Sequence, residues 1–316
     1  MSYTPKHFKL PANNTLKQDG DINPYLFTEN ITIALDVALA TNRPILVAGE
    51  PGTGKSRLAE AIAKLKGWHF LSKTMTSRTR LEELTVEIDH LRRMHDAYSG
   101  KNDDNPMKPD WAYHNPGVFW WAINHDTAKY RGKGNKEAAE KHGVSMQYPG
   151  TFREQQSSSH HTVLLIDEID KAEPDLPNDL LEPLDRRSFG LPNGDKITGE
   201  SEQKILTIIT TNRERELPPA FLRRCISLVL EQPDEAKLIH IAKQHYPEAE
   251  EQRVKAIAAK ITNFREAAKR QAWRAPSTSE FLDAVYACEE LGINPDEDDD
   301  VWQHIENTVL IKKLEA

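Results

Sequence analysis

The sequence predicts an α/β protein: a doubly wound parallel sheet followed by a smaller all-helical C-terminal domain. Three observations predict it. Short apolar runs such as ILVAG (45–49), bounded by Pro44 and Gly49, and TVLLID (162–167) alternate with amphipathic helical stretches up to about residue 232, the pattern of strands buried on both faces between helices. One glycine-rich octapeptide, GEPGTGKS (49–56), joins such a run to a helix. From Asp234 onward strand signals stop, and VKAIAAKITNFREAAKRQAW and SEFLDAVYACEEL carry helical periodicity.

In chain order, residues 1–24 hold Pro5, Pro11 and Pro24 and predict an irregular lead-in. Apolar spacing predicts a helix over 25–41, after which Pro44 introduces the strand ILVAG. SRLAEAIAKLK (56–66) is an amphipathic helix, WHFLSKTM (68–75) a second strand, and 81–98 a helical stretch. A polar loop follows at 99–112, then a helix over 118–130. Residues 131–160, with four glycines and the run SSSHH, predict a mobile surface excursion dispensable for the core. Three more strands are expected at 162–167, 204–212 and 225–230. These elements define an α/β domain over 25–232 and a helical lid over 233–316. Lys55 and Asp167 lie 112 positions apart, whereas two strand–helix crossovers need only about 60 residues, so an insertion is expected within about 99–160.

At 316 residues the chain exceeds one minimal core and suits a large and a smaller domain. The net charge of −8 argues against broad nucleic-acid binding, which needs a basic surface. There is no apolar run long enough for a membrane span and no apolar secretory segment at the N-terminus. Cys225 and Cys288 are the only cysteines, too few for a disulfide framework. A cytoplasmic location is therefore expected.

GEPGTGKS matches G-x-x-x-x-G-K-[ST] in full and sits in the confirming strand–loop–helix context. Gly49, Gly52 and Gly54 let the backbone curl until its N–H groups and the helix N-terminus face a phosphate. The candidate ATP-binding residues are Gly49, Glu50, Pro51, Gly52, Thr53, Gly54, Lys55, Ser56 and Arg57. Lys55 suits the β- and γ-phosphates, and the Ser56 hydroxyl suits Mg²⁺. VLLIDE (163–168) then delivers two acids from the end of an apolar strand, where doubly wound sheets bind ligands. Asp167 is the candidate second Mg²⁺ ligand and Glu168 the general base for an attacking water.

Together these segments resemble an AAA+ ATPase of the MoxR-like branch or a near relative, over roughly residues 25–290. ILTIITTN resembles the family's sensor-1 strand, which implies that Asn212 positions the lytic water. LPPAFLRRC resembles the segment with the trans-acting arginine finger, implying Arg224, with Arg223 as the alternative. YHNPGVFWWAI (113–123) resembles an inserted hairpin and helix, and APSTSEFLDAV (275–285) the start of the sensor-2 helix. Ser279 stands where many members place the sensor-2 arginine, with Arg274 five residues earlier. The resemblance implies a homo-oligomeric ring, a hexamer, that remodels or chaperones a protein partner, with a von Willebrand factor A-domain protein as adaptor. The alternative is an ATP-dependent switch or assembly module in a defence or signalling system.

Half of the six tryptophans fall within residues 111–121. Trp120 and Trp121 fit core packing better than a partner surface, and Pro116–Gly117 fits an exposed hairpin tip. His160 and His161 lack metal-ligand spacing and are expected in solvated loop.

Overall fold

Short, largely apolar runs form five strands: β1 (Ile45–Gly49), β2 (His69–Thr74), β3 (Thr162–Asp167), β4 (Ile205–Thr211) and β5 (Ile226–Leu230). They build one parallel sheet in the order β5-β1-β4-β3-β2. This computed structural model describes residues 3–17, 23–99, 108–132, 134–151, 160–271, 274–295 and 300–311. All five residues of β1 and the first five of β3 are buried, which explains their uninterrupted hydrophobicity. Register is fixed on both sides of β3, with Ile205 opposite Thr162 on β4 and His69 opposite the same residue on β2.

Contacts divide the chain into two units. The first comprises Met1–Lys9, Asn30–Val47 and Ile62–Leu228; the second comprises Leu10–Glu29, Ala48–Ala61 and Val229–Ala316. The first unit's core gathers Leu46, Leu71, Leu164, Ile166, Ile209 and Phe221 with Phe119, Trp120 and Trp121. The tryptophans are thus core residues, at 0% and 1% exposure.

Several elements differ from expectation. Thr15–Leu16 pairs antiparallel with Tyr25–Leu26, so α1 begins only at Glu29 and runs to Thr41. The run 81–98 is not one helix. Leu81–Leu84 is followed by strand Val86–Ile88, paired with His114–Pro116, and then by helix His90–Ser99. Val86 and Ile88 flank Glu87 with a period of two that a helix-compatible neighbourhood conceals. Gly117 is no exposed tip: a Cβ there would lie 2.3 Å from the Leu84 carbonyl carbon. The predicted helix 118–130 breaks at Asn124, whose Oδ1 accepts from Thr127 N at 3.0 Å and caps a second helix, His125–Lys129.

The stretch 131–160 is the largest correction. Arg131 is buried and donates to Val144 O at 2.7 Å and His114 O at 2.6 Å. The Tyr148 ring packs edge-on to Trp121, 5.5 Å between centroids. Thr151 exchanges two 3.0 Å backbone hydrogen bonds with Phe70 on β2, so this segment covers part of the sheet edge. Over residues 134–151 it is a packed part of the first unit. Residues 133 and 152–159, including Phe152 and all three serines of the run, lie outside the described residues.

In the second unit α2 (Lys55–Lys66) contributes its first residues, and three long helices follow: α3 (Glu235–His245), α4 (Glu251–Gln271) and α5 (Thr278–Leu291). Asp234 caps α3 by accepting from Lys237 N at 2.9 Å. Ser277 and Glu280 form a capping box at the start of α5, which ends at Gly292 with φ +65°. Leu238, Ile257, Ile261, Phe281, Val285 and Trp302 fill the helical core.

Candidate functional site

The second unit holds the glycine-rich loop. Gly52 and Gly54 have φ of +76° and +88°, backbone that a side chain would strain. At Gly52 a Cβ would also lie 2.3 Å from the Ser277 Cβ, so the α5 cap packs against the loop. Gly49 approaches Leu230 O so closely that a Cβ would sit 2.6 Å from it. Inside this curl Lys55 is buried, its Nζ donating to Gly49 O and Glu50 O at 2.9 Å each. Thr53 Oγ1 closes the turn on Glu50 O at 2.9 Å. The Glu50 carboxylate accepts from Gln232 Nε2 at 3.1 Å, and Arg57 pairs with Glu60 at 2.7 Å. Ser56 lies in the first turn of α2, which holds no acidic residue. A curled backbone, an ammonium inside it and a helix N-terminus make a fitting phosphate cradle.

The first unit holds the carboxylates. Asp167 ends β3, its carbonyl accepting from Met75 N at 2.8 Å. Glu168 turns into the left-handed region, φ 59° and ψ 51°, a conformation costing a non-glycine residue roughly 1–2 kcal/mol. The fully buried Thr210 spans the two acids. Its hydroxyl donates to Asp167 Oδ1 at 2.6 Å and accepts from Glu168 N at 2.9 Å. Asn212 Nδ2 reaches Glu168 Oε1 at 3.3 Å. Asp170, buried beside them, accepts from Asn212 N at 3.1 Å and Glu214 N at 2.9 Å. The structure therefore brings together Asp167, Glu168 and Asn212, and adds Thr210 and Asp170. Sequence reasoning missed these two; the only available signal for Thr210 was a hydroxyl two residues before Asn212, and Thr207 and Thr211 on the same strand carry one as well.

Arg224 is half-exposed and pairs with Asp185, its Nη1 also donating to Ala220 O at 3.1 Å. Arg43, another residue the sequence did not single out, donates to the carbonyls of Arg223, Arg224 and Cys225 and fixes this turn. Burial pushes the Cys225 thiol up to about 12, so it is no thiolate nucleophile at neutral pH. In the second unit Ser279 is exposed, and Arg274 pairs with Glu280 at 2.9 Å. The buried Arg265 there donates to Pro276 O at 2.9 Å and Pro233 O at 2.7 Å, bracing the chain ahead of α5.

The family model of the AAA domain (dynein-related subfamily) matches residues 44–102 and 118–225, more than half of the chain. The chain belongs to the AAA family. The matched blocks take in β1 with its loop, the carboxylates at the end of β3 and the asparagine that follows β4 in this AAA domain, and they end at Cys225. The search of the curated proteins found no match. Family membership supports ATP binding and hydrolysis, and AAA proteins typically oligomerise. Among the described residues no helix is long and apolar enough to cross a membrane.

Thr210 gives a first prediction. Thr210→Val keeps the shape but removes the donor to Asp167 and leaves the Glu168 N–H without its acceptor. Stability is expected to fall by about 1–3 kcal/mol. Turnover is expected to fall on the order of 10- to 100-fold, because both acids lose their shared anchor, while ATP affinity stays within about threefold of wild type. A denaturant titration, calorimetry and a phosphate-release assay check the three values; a loss of affinity matching the loss of turnover would contradict the anchoring role.

Proposed function

We propose that this AAA protein binds Mg-ATP on Gly49–Arg57, hydrolyses it with Asp167, Glu168, Asn212 and Arg224, and works as a homo-oligomeric ring that remodels a protein partner. The observation that carries the reading is the bonded set Asp167–Thr210–Glu168–Asn212 at the carboxyl ends of β3 and β4. The sheet order makes β4 and β3 neighbours in the first unit, and the carboxyl ends of such strands are where doubly wound sheets bind ligands. Lys55 and the N–H groups of the loop hold phosphate oxygens. Glu168, steadied by Asn212, takes the proton of the attacking water, and Arg224 of a neighbouring copy offsets charge that develops on the phosphate oxygens. Ser56 and Asp167 supply the hard oxygen donors that suit Mg²⁺, which when bound neutralises phosphate charge.

The MoxR-like branch, a hexameric ring, a von Willebrand factor A-domain adaptor and a cytoplasmic location belong to this proposal. So do the insertion within 99–160 and a lid beginning at 233. Support for the branch comes from the hairpin of Val86–Ile88 with His114–Pro116 leading into helix Val118–Ile123. One observation favours a switch over a motor: Ser279 offers no cation, and Arg274 is engaged with Glu280. Sedimentation with ATP and with a non-hydrolysable analogue, alongside phosphate release, decides between them. A nucleotide-dependent ring with steady turnover is the expected result. Rings without turnover would select the switch, and a monomer in every nucleotide state would sink the ring.

A further inference from the structure

Three histidines far apart in sequence meet in the first unit. His69 opens β2, His125 opens the helix His125–Lys129, and His160 lies two residues before β3. The rings of His125 and His160 stack with centroids 4.1 Å apart and planes 21° apart. His69 Nε2 lies 3.3 Å from His160 Nδ1. The neighbouring Asp126 adds a carboxylate. One nitrogen each of His125 and His160 and one Asp126 oxygen all lie within 4.8 Å of one another.

We propose that His125, Asp126 and His160 bind a transition-metal cation, with zinc as the occupant, and that His69 is the outer partner orienting His160. In a tetrahedral zinc site with bonds of about 2.0–2.1 Å, ligand atoms stand roughly 3.3–3.4 Å apart. The ligand atoms are therefore within about 1.5 Å of that spacing, and because the two rings lie stacked, closing requires the His160 ring to turn out of the stack as Asp126 swings in. The Asp126 side chain is 69% exposed and can swing in, whereas His125 is 10% exposed and set by packing. Two imidazoles and a carboxylate select zinc, cobalt, nickel or copper over magnesium, which prefers oxygen alone. His160 meets His69 through Nδ1, which leaves Nε2 as the nitrogen proposed to face the metal; a partner on the second ring nitrogen is the usual way a ligating histidine is held in one tautomer. A fourth position remains for water or a further ligand.

The consequence is a staple. His69 pairs with Thr162 at the amino ends of β2 and β3, and Thr162 Oγ1 donates to His160 O at 3.1 Å. A metal here ties the entry of β2, the entry of β3 and the helix after Trp121, at the strand ends opposite Asp167. It is independent of the ATPase reading and stabilises this edge of the sheet rather than taking part in hydrolysis.

The test uses the tag-free full chain, stripped with chelator, in buffer with excess Mg²⁺. Equilibrium dialysis against Zn²⁺ should give one equivalent bound and a higher melting temperature, since a ligand specific to the native state stabilises it. Co²⁺ should give the visible absorption of a four-coordinate site. Asp126→Asn, at an exposed side chain, and His125→Gln should each weaken zinc binding about tenfold or more and remove the melting shift. Asp167→Asn should leave zinc binding unchanged. No saturable zinc uptake by the wild-type chain, or uptake that survives both substitutions, would overturn the proposal and leave the cluster as aromatic packing around Trp121 and Tyr148.

Discussion

Lys55→Ala is expected to lose ATP binding, and Glu168→Gln to keep binding and lose turnover. The two residues occupy different environments, which is why the effects separate. Lys55 is buried inside the loop with its ammonium on two carbonyls, Gly49 O and Glu50 O. Those carbonyls hold the cation in the curl, where a phosphate would meet it. Removing one partner of a buried, charge-assisted contact costs roughly 2–5 kcal/mol, and about 3 kcal/mol is already on the order of 100-fold in affinity. Glu168 is instead the proposed base for the attacking water. Gln is isosteric, and its carbonyl oxygen can still accept from Asn212 Nδ2, now at 3.3 Å from the Glu168 carboxylate. The Glu168 N–H bond to Thr210 is a backbone contact that the substitution leaves alone. Only the base is lost, at a cost of about 10²- to 10⁴-fold in rate. Calorimetry with ATP and a phosphate-release assay on both proteins are sufficient. Equal losses of affinity in the two variants would refute the division of roles, as would a Glu168→Gln protein that turns over at the wild-type rate.

What was readable in the sequence is what lies contiguous in it. The loop 49–56 and the acids ending β3 announce themselves because each motif is one unbroken segment with its strand beside it. Thr210 could not be read that way. Its two partners, Asp167 and Glu168, are more than forty residues away, and only the parallel register of β4 on β3 brings them together. Arg43 and the turn it fixes are separated by about 180 positions, and the histidine cluster draws on three segments. The stretch 134–151 misleads for a different reason. Its glycines read as looseness, but the chain there is held by one buried cation, Arg131, and one ring, Tyr148; neither leaves a periodic trace. The strand Val86–Ile88 is too short for its alternation to stand out beside the helical residues on either side.

Arg224→Ala is expected to fold, bind ATP as the wild type does and hydrolyse it about 10³-fold more slowly or worse, the usual effect of losing an arginine finger. The ion pair with Asp185 is the obvious objection, because a residue engaged within its own chain has to leave that partner to serve a neighbour. Magnitudes answer it. The two side chains are 43% and 39% exposed, and pairs of that kind contribute about 0–1 kcal/mol. The stabilisation asked of a finger is several times larger, so assembly can exchange one carboxylate for a phosphoryl oxygen. Arg43, meanwhile, keeps the backbone of residues 223–225 in place whichever way the side chain points. Two further proteins separate trans from cis action. Asp185→Ala releases Arg224 and should leave turnover equal or higher if the pair is only a resting contact; a large loss would make the pair itself structural to the site. Mixing Arg224→Ala with Lys55→Ala should restore part of the activity, because some neighbouring pairs then combine an intact Lys55 loop with an intact Arg224. Under conditions where sedimentation shows the two proteins in one assembly, absence of any recovery would place the arginine in its own subunit's site, and full activity of Arg224→Ala alone would pass the role to Arg223.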